Sequence, residues 1–185
     1  MQHELVQRAQ AGDHEAFSVL VRGSYPRLFG VARLILRDLD RAQDAVQEAL
    51  VLAWRDVRAL RDAEAWDAWL NRLTVRACYK SAQRVRRRDL VELHVTPDED
   101  AHASIDFSKA VADRDQMASA LGRLPVEQRA VLVLHFYVGL PLTELASVLD
   151  IPVGTAKSRL NRGLASMRSA MGADAPTAFV QERSA

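Results

Sequence analysis

Polar and basic side chains that could contact nucleic acid are concentrated in one short segment of the second half of the sequence. The spacing of four of them places their side chains on one side of a helix, from which they can donate hydrogen bonds to base edges in a DNA major groove: Lys157, Ser158, Asn161 and Arg162. Gly154 and Thr155 would lie in the first turn of that helix, where free backbone N–H groups favour a phosphate. Arg159 adds a positive charge, and no acidic residue occurs from 152 to 168. The segment therefore predicts a DNA-binding helix.

A second set of basic residues, in the first half of the sequence, recurs at intervals of four: Arg72, Arg76, Lys80, Arg84 and Arg88. On a helix this spacing forms one stripe, and no acidic residue occurs from 71 to 88. Like charges at i and i+4 destabilise a helix by about 0.2–0.5 kcal/mol per pair, a cost that a bound polyanion would remove. A solvated basic face is the simpler alternative, but the long acid-free stretch favours phosphate binding.

The sequence offers little for catalysis, metal binding or membrane insertion. Its one cysteine, Cys78, cannot form an intrachain disulfide, and the five histidines lack the spacing of metal ligands. We find no Gly-rich phosphate loop and no nucleophile motif. No apolar run approaches the roughly 20 residues of a membrane span, and the N-terminus does not resemble a secretory signal. We therefore expect a cytoplasmic protein that is not an enzyme and takes no cofactor, metal or small-molecule substrate.

Helices must position these candidate surfaces. Apolar residues recur at three- and four-residue intervals almost throughout and no strand pattern with a period of two stands out, so the fold class is all-α. The exception is residues 89–112, which hold six acidic residues against one basic residue and predict a flexible acidic linker. The sequence thus predicts two small helical domains, residues 1–88 and 113–172, followed by a disordered tail at 173–185.

The second domain is expected to contain helices at 113–121, 126–137, 142–149 and 153–171. The last two, separated by Asp150, Ile151 and Pro152, have the spacing of a helix-turn-helix. Both helices and the turn would supply its small core: Leu145, Ala146, Leu149, Ile151, Ala156 and Leu160. The candidate DNA-binding residues lie on the second of these helices, which is the recognition helix of such a motif.

The first domain is expected to contain a short helix followed by three longer ones. Asp13 can cap the second helix, and Pro26 either starts a further helix or, as we prefer, kinks a continuous one. Asp40, followed by Gln43, is the expected N-cap of the third helix. That helix should end near Val57 and bury one face: Ala42, Val46, Ala49, Leu50, Ala53 and Trp54. The fourth helix, from about 63 to 87, carries the basic stripe.

Three segments resemble motifs of the extracytoplasmic-function (ECF) sigma factors of bacterial RNA polymerase. Residues 154–163 (GTAKSRLNRG) resemble the family's G-T-V-K-S-R-L-x-R-A signature, and residues 121–131 (LGRLPVEQRAV) resemble its L-x-x-L-P-x-x-x-R-x-V segment. Residues 40–54 (DRAQDAVQEALVLAW) resemble its D-A-E-D-L-V-Q-E-x-F-L-x-A-W segment. The three matches occur in the family's order, and the resemblance covers nearly the whole chain outside the linker and the tail.

The resemblance implies that the first domain is sigma region 2, which binds core RNA polymerase and opens the minus-10 promoter element, and that the second is sigma region 4, which reads the minus-35 element. The residues that would face the polymerase clamp are Asp44, Val46, Gln47, Glu48 and Leu52. The residues that would contact the backbone of the minus-10 DNA are Arg72, Arg76, Lys80 and Arg84. The loop at 57–63 would hold a flipped base, and the acidic linker would pass through the RNA exit region. Promoter DNA, core polymerase and an anti-sigma factor are the expected partners.

The sequence departs from the family pattern at four positions. Arg76 stands where Asn is usual and Lys80 where Asp is common, so we expect an altered minus-10 preference or a stronger contribution from phosphate contacts. Pro141 replaces the usual Ser or Thr cap before the helix-turn-helix. Asp150 replaces the common turn glycine, and Asp tolerates the left-handed backbone conformation better than most residues.

Two other classes of protein compete with a sigma factor. One is a transcriptional regulator with a LuxR-like helix-turn-helix, which leaves the match at residues 40–54 unexplained. The other is a sigma mimic that sequesters an anti-sigma factor without binding DNA; Arg76 and Lys80 are compatible with it, whereas the basic surface around Arg162 argues against it.

Overall fold

The computed structural model describes residues 2–91 and 109–171, and the chain is helical over most of both ranges. Four helices form the first half: α1 (Gln2–Gln10), α2 (His14–Leu36), α3 (Leu39–Asp56) and α4 (Trp66–Val91). Four form the second half: α5 (Lys109–Gly122), α6 (Val126–Leu132), α7 (Leu142–Leu149) and α8 (Val153–Ala170). The predicted all-α class with two helical halves is confirmed.

The start of α2 follows the expected capping pattern. The carboxylate of Asp13 accepts a hydrogen bond from the backbone N–H of Ala16 at 3.0 Å, which satisfies one of the donors that a helix leaves free in its first turn. Arg8 reaches the same carboxylate at 2.7 Å and ties α1 to this cap. Pro26 lies inside α2, so the helix is continuous, as we preferred.

The expected N-cap of α3 was wrong by two residues. Asp38, in extended conformation, accepts a hydrogen bond from the backbone N–H of Arg41 at 2.8 Å, whereas Asp40 lies within the first turn. An acidic residue in the first turn is still favourable, because the helix dipole is positive there. The helix ends at Asp56 as predicted, and its buried face contains Ala42, Ala45, Val46, Ala49 and Ala53, with Leu50 and Trp54 half-buried.

The core of the first half is centred on Trp66, whose side chain is completely buried. Its indole N–H donates to the hydroxyl of Ser24 at 3.3 Å, so a polar atom enters the core with a partner. Asn71, five residues further along α4, is also buried, and its side-chain oxygen accepts from Arg27 at 2.6 Å. These contacts fix α4 against α2 and thereby set which face of α4 remains outside.

The helices of the second half lie close to their predicted positions. α7 has the predicted bounds, and α8 ends one residue earlier than expected. The predicted helix at 126–137 is α6 followed by a π-helical turn, Val133–Tyr137, which the N–H of Val138 closes by donating to the carbonyl of Val133 at 3.1 Å. α4 and α5 both extend into the predicted linker 89–112; its central part and the predicted tail lie outside the described residues.

The two halves pack against each other. α2 contacts α6 and the π-helical turn, and α4 contacts α6 and α7. Arg129 of α6 crosses this boundary, because its guanidinium donates to the carbonyl of Ile35 in α2 at 2.6 Å. The ring of Tyr137 lies on Gly30 of α2, where a Cβ would come within 2.2 Å of the tyrosine hydroxyl. In the described part of the chain, none of the helices combines the length and apolar character that crossing a membrane demands.

Candidate nucleic-acid interface

The turn between α7 and α8 has the geometry of a helix-turn-helix. Asp150 adopts the left-handed conformation, with φ of 58° and ψ of 47°, and its N–H donates to the carbonyls of Ala146 and Ser147. The N–H of Ile151 also donates to the carbonyl of Ala146, at 3.0 Å. This pair of bonds ends α7 and redirects the chain into α8. The expectation that Asp is accepted at the glycine position of the turn is therefore confirmed.

Burial fixes the angle between α7 and α8. Leu145 and Ala146 of α7 and Ala156 and Leu160 of α8 are buried as predicted, and Leu149 and Ile151 are half-buried. Val148 is also buried, which the sequence pattern did not indicate. The contact surfaces of the two helices point inward, so the opposite face of α8 is left for a ligand.

That outer face of α8 presents most of the predicted DNA-binding residues. Gly154, Lys157, Asn161 and Arg162 are exposed, and Thr155 and Ser158 are half-buried. The hydroxyl of Ser158 donates to the carbonyl of Thr155 at 3.0 Å, and Arg162 donates to the same hydroxyl at 3.4 Å. Ser158 is thus engaged by its own helix and orients Arg162. The N-cap, Pro152, offers no side-chain acceptor to the first turn.

Arg159 differs from the other members of the predicted set. It is half-buried, and it is close enough to Tyr79 of α4 for its positive charge to oppose the rise in the pKa of that tyrosine. Burial raises the pKa of Tyr79 to about 12 despite that charge. The structure therefore separates Arg159 from the outward group of Lys157, Asn161 and Arg162.

The basic stripe of α4 is partly neutralised by acids from other elements. Arg72 and Arg76 approach one carboxylate oxygen of Asp150 at 3.3 and 3.4 Å, and Lys80 pairs with Glu48 of α3. Repulsion along the stripe is thus relieved by carboxylates that the local sequence pattern did not reveal. The fourth residue of the predicted minus-10 set, Arg84, is exposed, and the side chain of Arg88 lies outside the described residues.

The predicted polymerase-facing residues of α3 differ in their exposure to solvent. Asp44 and Gln47 are exposed, and Glu48 and Leu52 are half-buried. Val46 is fully buried in the core, so its side chain supports α3 from inside and is not presented to a partner.

An additional residue of this face is Val51, a valine that is 68% exposed and lies four residues after Gln47. The predicted polymerase-facing set did not include it, although its spacing from Asp44 and Gln47 places it on the outer side of the helix. The outer side of α3 therefore combines acidic, amide and apolar groups.

The loop between α3 and α4 is held in place by α1. It contains two 3₁₀ turns, Val57–Ala59 and Ala63–Ala65, and the side-chain amide of Gln10 donates to the carbonyls of Val57 and Leu60 at 3.3 and 2.6 Å. Arg58 and Arg61 project from this loop and are exposed. A short loop with a fixed backbone and two exposed guanidinium groups suits contact with a nucleic-acid strand.

The exposed basic side chains of α4 and α8 suit the binding of anions. Across residues 2–91 and 109–171, the acidic, cysteine and histidine side chains form no group of three that could hold a metal ion. Burial raises the pKa of the Cys78 thiol to about 12, which leaves it neutral at ordinary pH. Burial also lowers the pKa of Arg129 to about 10, with Arg37 and Arg41 adding repulsion.

Two known protein families match the two helical halves of the chain separately. Residues 20–88 match the family described as sigma-70 region 2, and residues 114–167 match sigma-70 region 4. The chain is 36% identical to the ECF RNA polymerase sigma factor SigM of Mycobacterium tuberculosis, over 91% of this chain and 84% of the relative. It is 31% identical to the RNA polymerase sigma-H factor of Pseudomonas aeruginosa, over 86% of this chain and 88% of the relative.

Two solved structures share the fold. The sigma factor RpoE in complex with the anti-sigma factor NepR, from Bartonella quintana, has a TM-score of 0.71 at 22% identity and covers 86% of this chain and 98% of its own. CnrH in complex with the cytosolic domain of CnrY has a TM-score of 0.68 at 24% identity and covers 94% of this chain and 99% of its own.

Proposed function

Because the chain belongs to the ECF family of RNA polymerase sigma factors, we propose that it directs transcription initiation with three separate surfaces. The outer face of α8 reads the minus-35 element, the basic stripe of α4 follows the minus-10 DNA, and the outer face of α3 binds core polymerase. The observation that carries the proposal is the presence of both sigma-70 regions in one chain, with an exposed Lys157, Asn161 and Arg162 surface on the recognition helix.

Reading by α8 rests on side chains that are exposed and held by a rigid helix. Arg162 carries a planar fork of donors that fits the two acceptors of a guanine edge, and Asn161 can pair with an adenine edge. The first turn of α8 offers N–H groups to a phosphate, since Pro152 does not cap them. Phosphate contacts set the register of the helix, and the two base contacts supply sequence preference.

Binding of minus-10 DNA by α4 rests on charge. Arg76, Lys80 and Arg84 are exposed on one side of a continuous helix, and Arg58 and Arg61 extend the positive surface onto the loop after α3. We expect this surface to contribute mainly phosphate contacts. Replacing Arg84 with Ala should lower DNA affinity on all sequences and reduce the slope of log affinity against log salt by about one, because one fewer counterion is released. An unchanged salt slope would reject this role for Arg84.

Binding of core polymerase by α3 rests on Asp44, Gln47 and Val51. An exposed valine between polar residues gives an interface an apolar centre with a polar rim, which is the usual composition of protein interfaces. Glu48 contributes through its pair with Lys80, which links the polymerase-facing helix to the DNA-facing helix.

The proposal includes an anti-sigma factor as a partner and a regulatory role without catalysis. The RpoE structure is one of a sigma factor with its anti-sigma factor, and the likeness of fold supports a comparable partner for this chain. We place the protein in the cytoplasm with the polymerase that it serves, and we assign it no enzymatic activity.

Run-off transcription with reconstituted holoenzyme tests the proposal. Core polymerase and the full chain would be used to enrich promoters from a randomised library, and the enriched promoters would then be transcribed. A helix-turn-helix regulator would bind DNA without core polymerase and would not confer initiation, and a sigma mimic would enrich no DNA. Either outcome would replace the sigma assignment.

A further inference from the structure

Asp150, in the turn between α7 and α8, brings a carboxylate onto the basic stripe of α4. Its Oδ2 lies 3.3 Å from Nη2 of Arg72 and 3.4 Å from Nη2 of Arg76. A carboxylate oxygen between two guanidinium groups occupies the place that a DNA phosphate oxygen would take, since both anions bind Arg in the same way. We propose that Asp150 is an intramolecular latch, which masks Arg72 and Arg76 in the free protein and competes with promoter DNA for them.

The backbone of the turn does not need the Asp150 side chain. The N–H of Asp150 makes the bonds that end α7, and its φ of 58° is a conformation that glycine adopts without steric cost. Compared with glycine, Asp therefore adds only a carboxylate to this turn. The carboxylate lies where α7 packs against α4.

The ion pairs of Asp150 are weak and part of the surrounding contact leaves polar atoms unsatisfied, which is what a latch requires. Nε of Arg72 and the hydroxyl of Tyr79, both on α4, are buried and have no hydrogen-bond partner in the described part of the chain. Such groups regain hydrogen bonds to water when the halves separate. Asp150 is 70% exposed and Arg76 is 55% exposed, and an ion pair of this kind shifts an equilibrium by about two- to fivefold. The latch can thus yield to a phosphate backbone or to a polymerase that separates the halves.

The latch rests on the proposed role of α4 in binding minus-10 DNA, so two measurements are needed. The first is the affinity of the free full chain, without polymerase, for a forked oligonucleotide carrying the enriched minus-10 sequence. Asp150→Asn and Asp150→Gly should each bind about two- to fivefold more tightly than the wild type at low salt. The control is Glu144→Gln, which removes the same charge from an exposed position of α7 and should leave the affinity unchanged. Equal gains for Glu144→Gln and Asp150→Asn would overturn the latch.

The second measurement detects the latch without DNA. Spin labels on Ala68→Cys in α4 and Ser147→Cys in α7, both exposed positions, report the distance between the helices by electron resonance in a Cys78→Ala background. We call the arrangement with α7 packed against α4 closed and the arrangement with these helices apart open. Asp150→Asn should lower the ratio of the closed to the open population by about two- to fivefold, and Glu144→Gln should not. If Asp150→Asn left this ratio unchanged, the latch would be refuted. If no variant bound the oligonucleotide while this ratio fell, the minus-10 assignment of α4 would fail; Asp150 would then hold the two halves together without competing with DNA.

Discussion

Replacement of Arg162 with Ala tests directly whether α8 reads bases. An Arg that pairs with both acceptors of a guanine contributes about 1–3 kcal/mol of discrimination against other bases. The side chain is exposed and held by a single 3.4 Å hydrogen bond to Ser158, so binding must still order most of its rotatable bonds. We therefore expect a loss near the lower part of the range, about 1–2 kcal/mol, or roughly 5- to 30-fold in affinity.

The assay is binding of reconstituted holoenzyme to promoters in which each minus-35 position carries each of the four bases. Arg162→Ala should bind the preferred promoter more weakly and lose its preference at one position, with the other positions unchanged. Arg168→Ala is the matched control, because it removes the same charge from the last turn of α8, more than one turn beyond Arg162. If Arg162→Ala weakened every sequence equally, Arg162 would be a phosphate contact and the reading surface would have to be reassigned.

Three further predictions concern stability and the α3 surface. Arg129→Met should lower the free energy of unfolding by about 2–4 kcal/mol in urea titrations, since three carbonyls, of Ile35, Gly122 and Leu124, lose a charged donor; a change below about 0.5 kcal/mol would contradict the bridging role. The raised pKa of Cys78 means that the unfolded chain releases this proton first, so stability should fall as pH rises from 9.0 towards about 12. Cys78→Ala should flatten that alkaline decline, measured as unfolding free energy against pH, and an identical decline would argue against burial of the thiol. Val51→Asp should weaken binding to core polymerase by about 1–2 kcal/mol without lowering stability, whereas Leu39→Asp, another exposed apolar position of α3, is the control; equal losses for both variants would indicate a general charge effect.

Helical periodicity was sufficient to predict the fold class and most of the helices, because burial of one face of a helix imposes a regular spacing of apolar residues. It predicted the bounds of α7 and the outward face of α8, where the chemistry of the side chains and their spacing agree. It did not identify the N-cap of α3, since Asp38 and Asp40 are both suitable caps and only the backbone conformation decides between them. The family motif placed Val46 in the polymerase-facing set and left out Val51, whereas Val46 is buried and Val51 is exposed.

Contacts between the halves could not be predicted from the sequence. Asp150 and Arg76 are 74 positions apart, and no local pattern encodes the packing that brings them together. The same holds for Arg129 and Ile35, whose hydrogen bond spans 94 positions. The stripe of α4 was predicted from local spacing, but its partial neutralisation depends on long-range packing, and this is the part of the candidate site that only the structure supplies.

We propose that this chain gives core RNA polymerase its promoter preference through α8 and α4. Run-off transcription from library-enriched promoters, with wild-type chain and with the Arg162→Ala variant, tests it most directly. We predict specific transcripts that require both core polymerase and this chain, and a preference that changes at one minus-35 position in the variant. Core polymerase that produces no specific transcript with the wild-type chain, or the same promoter preference with and without it, would contradict the claim.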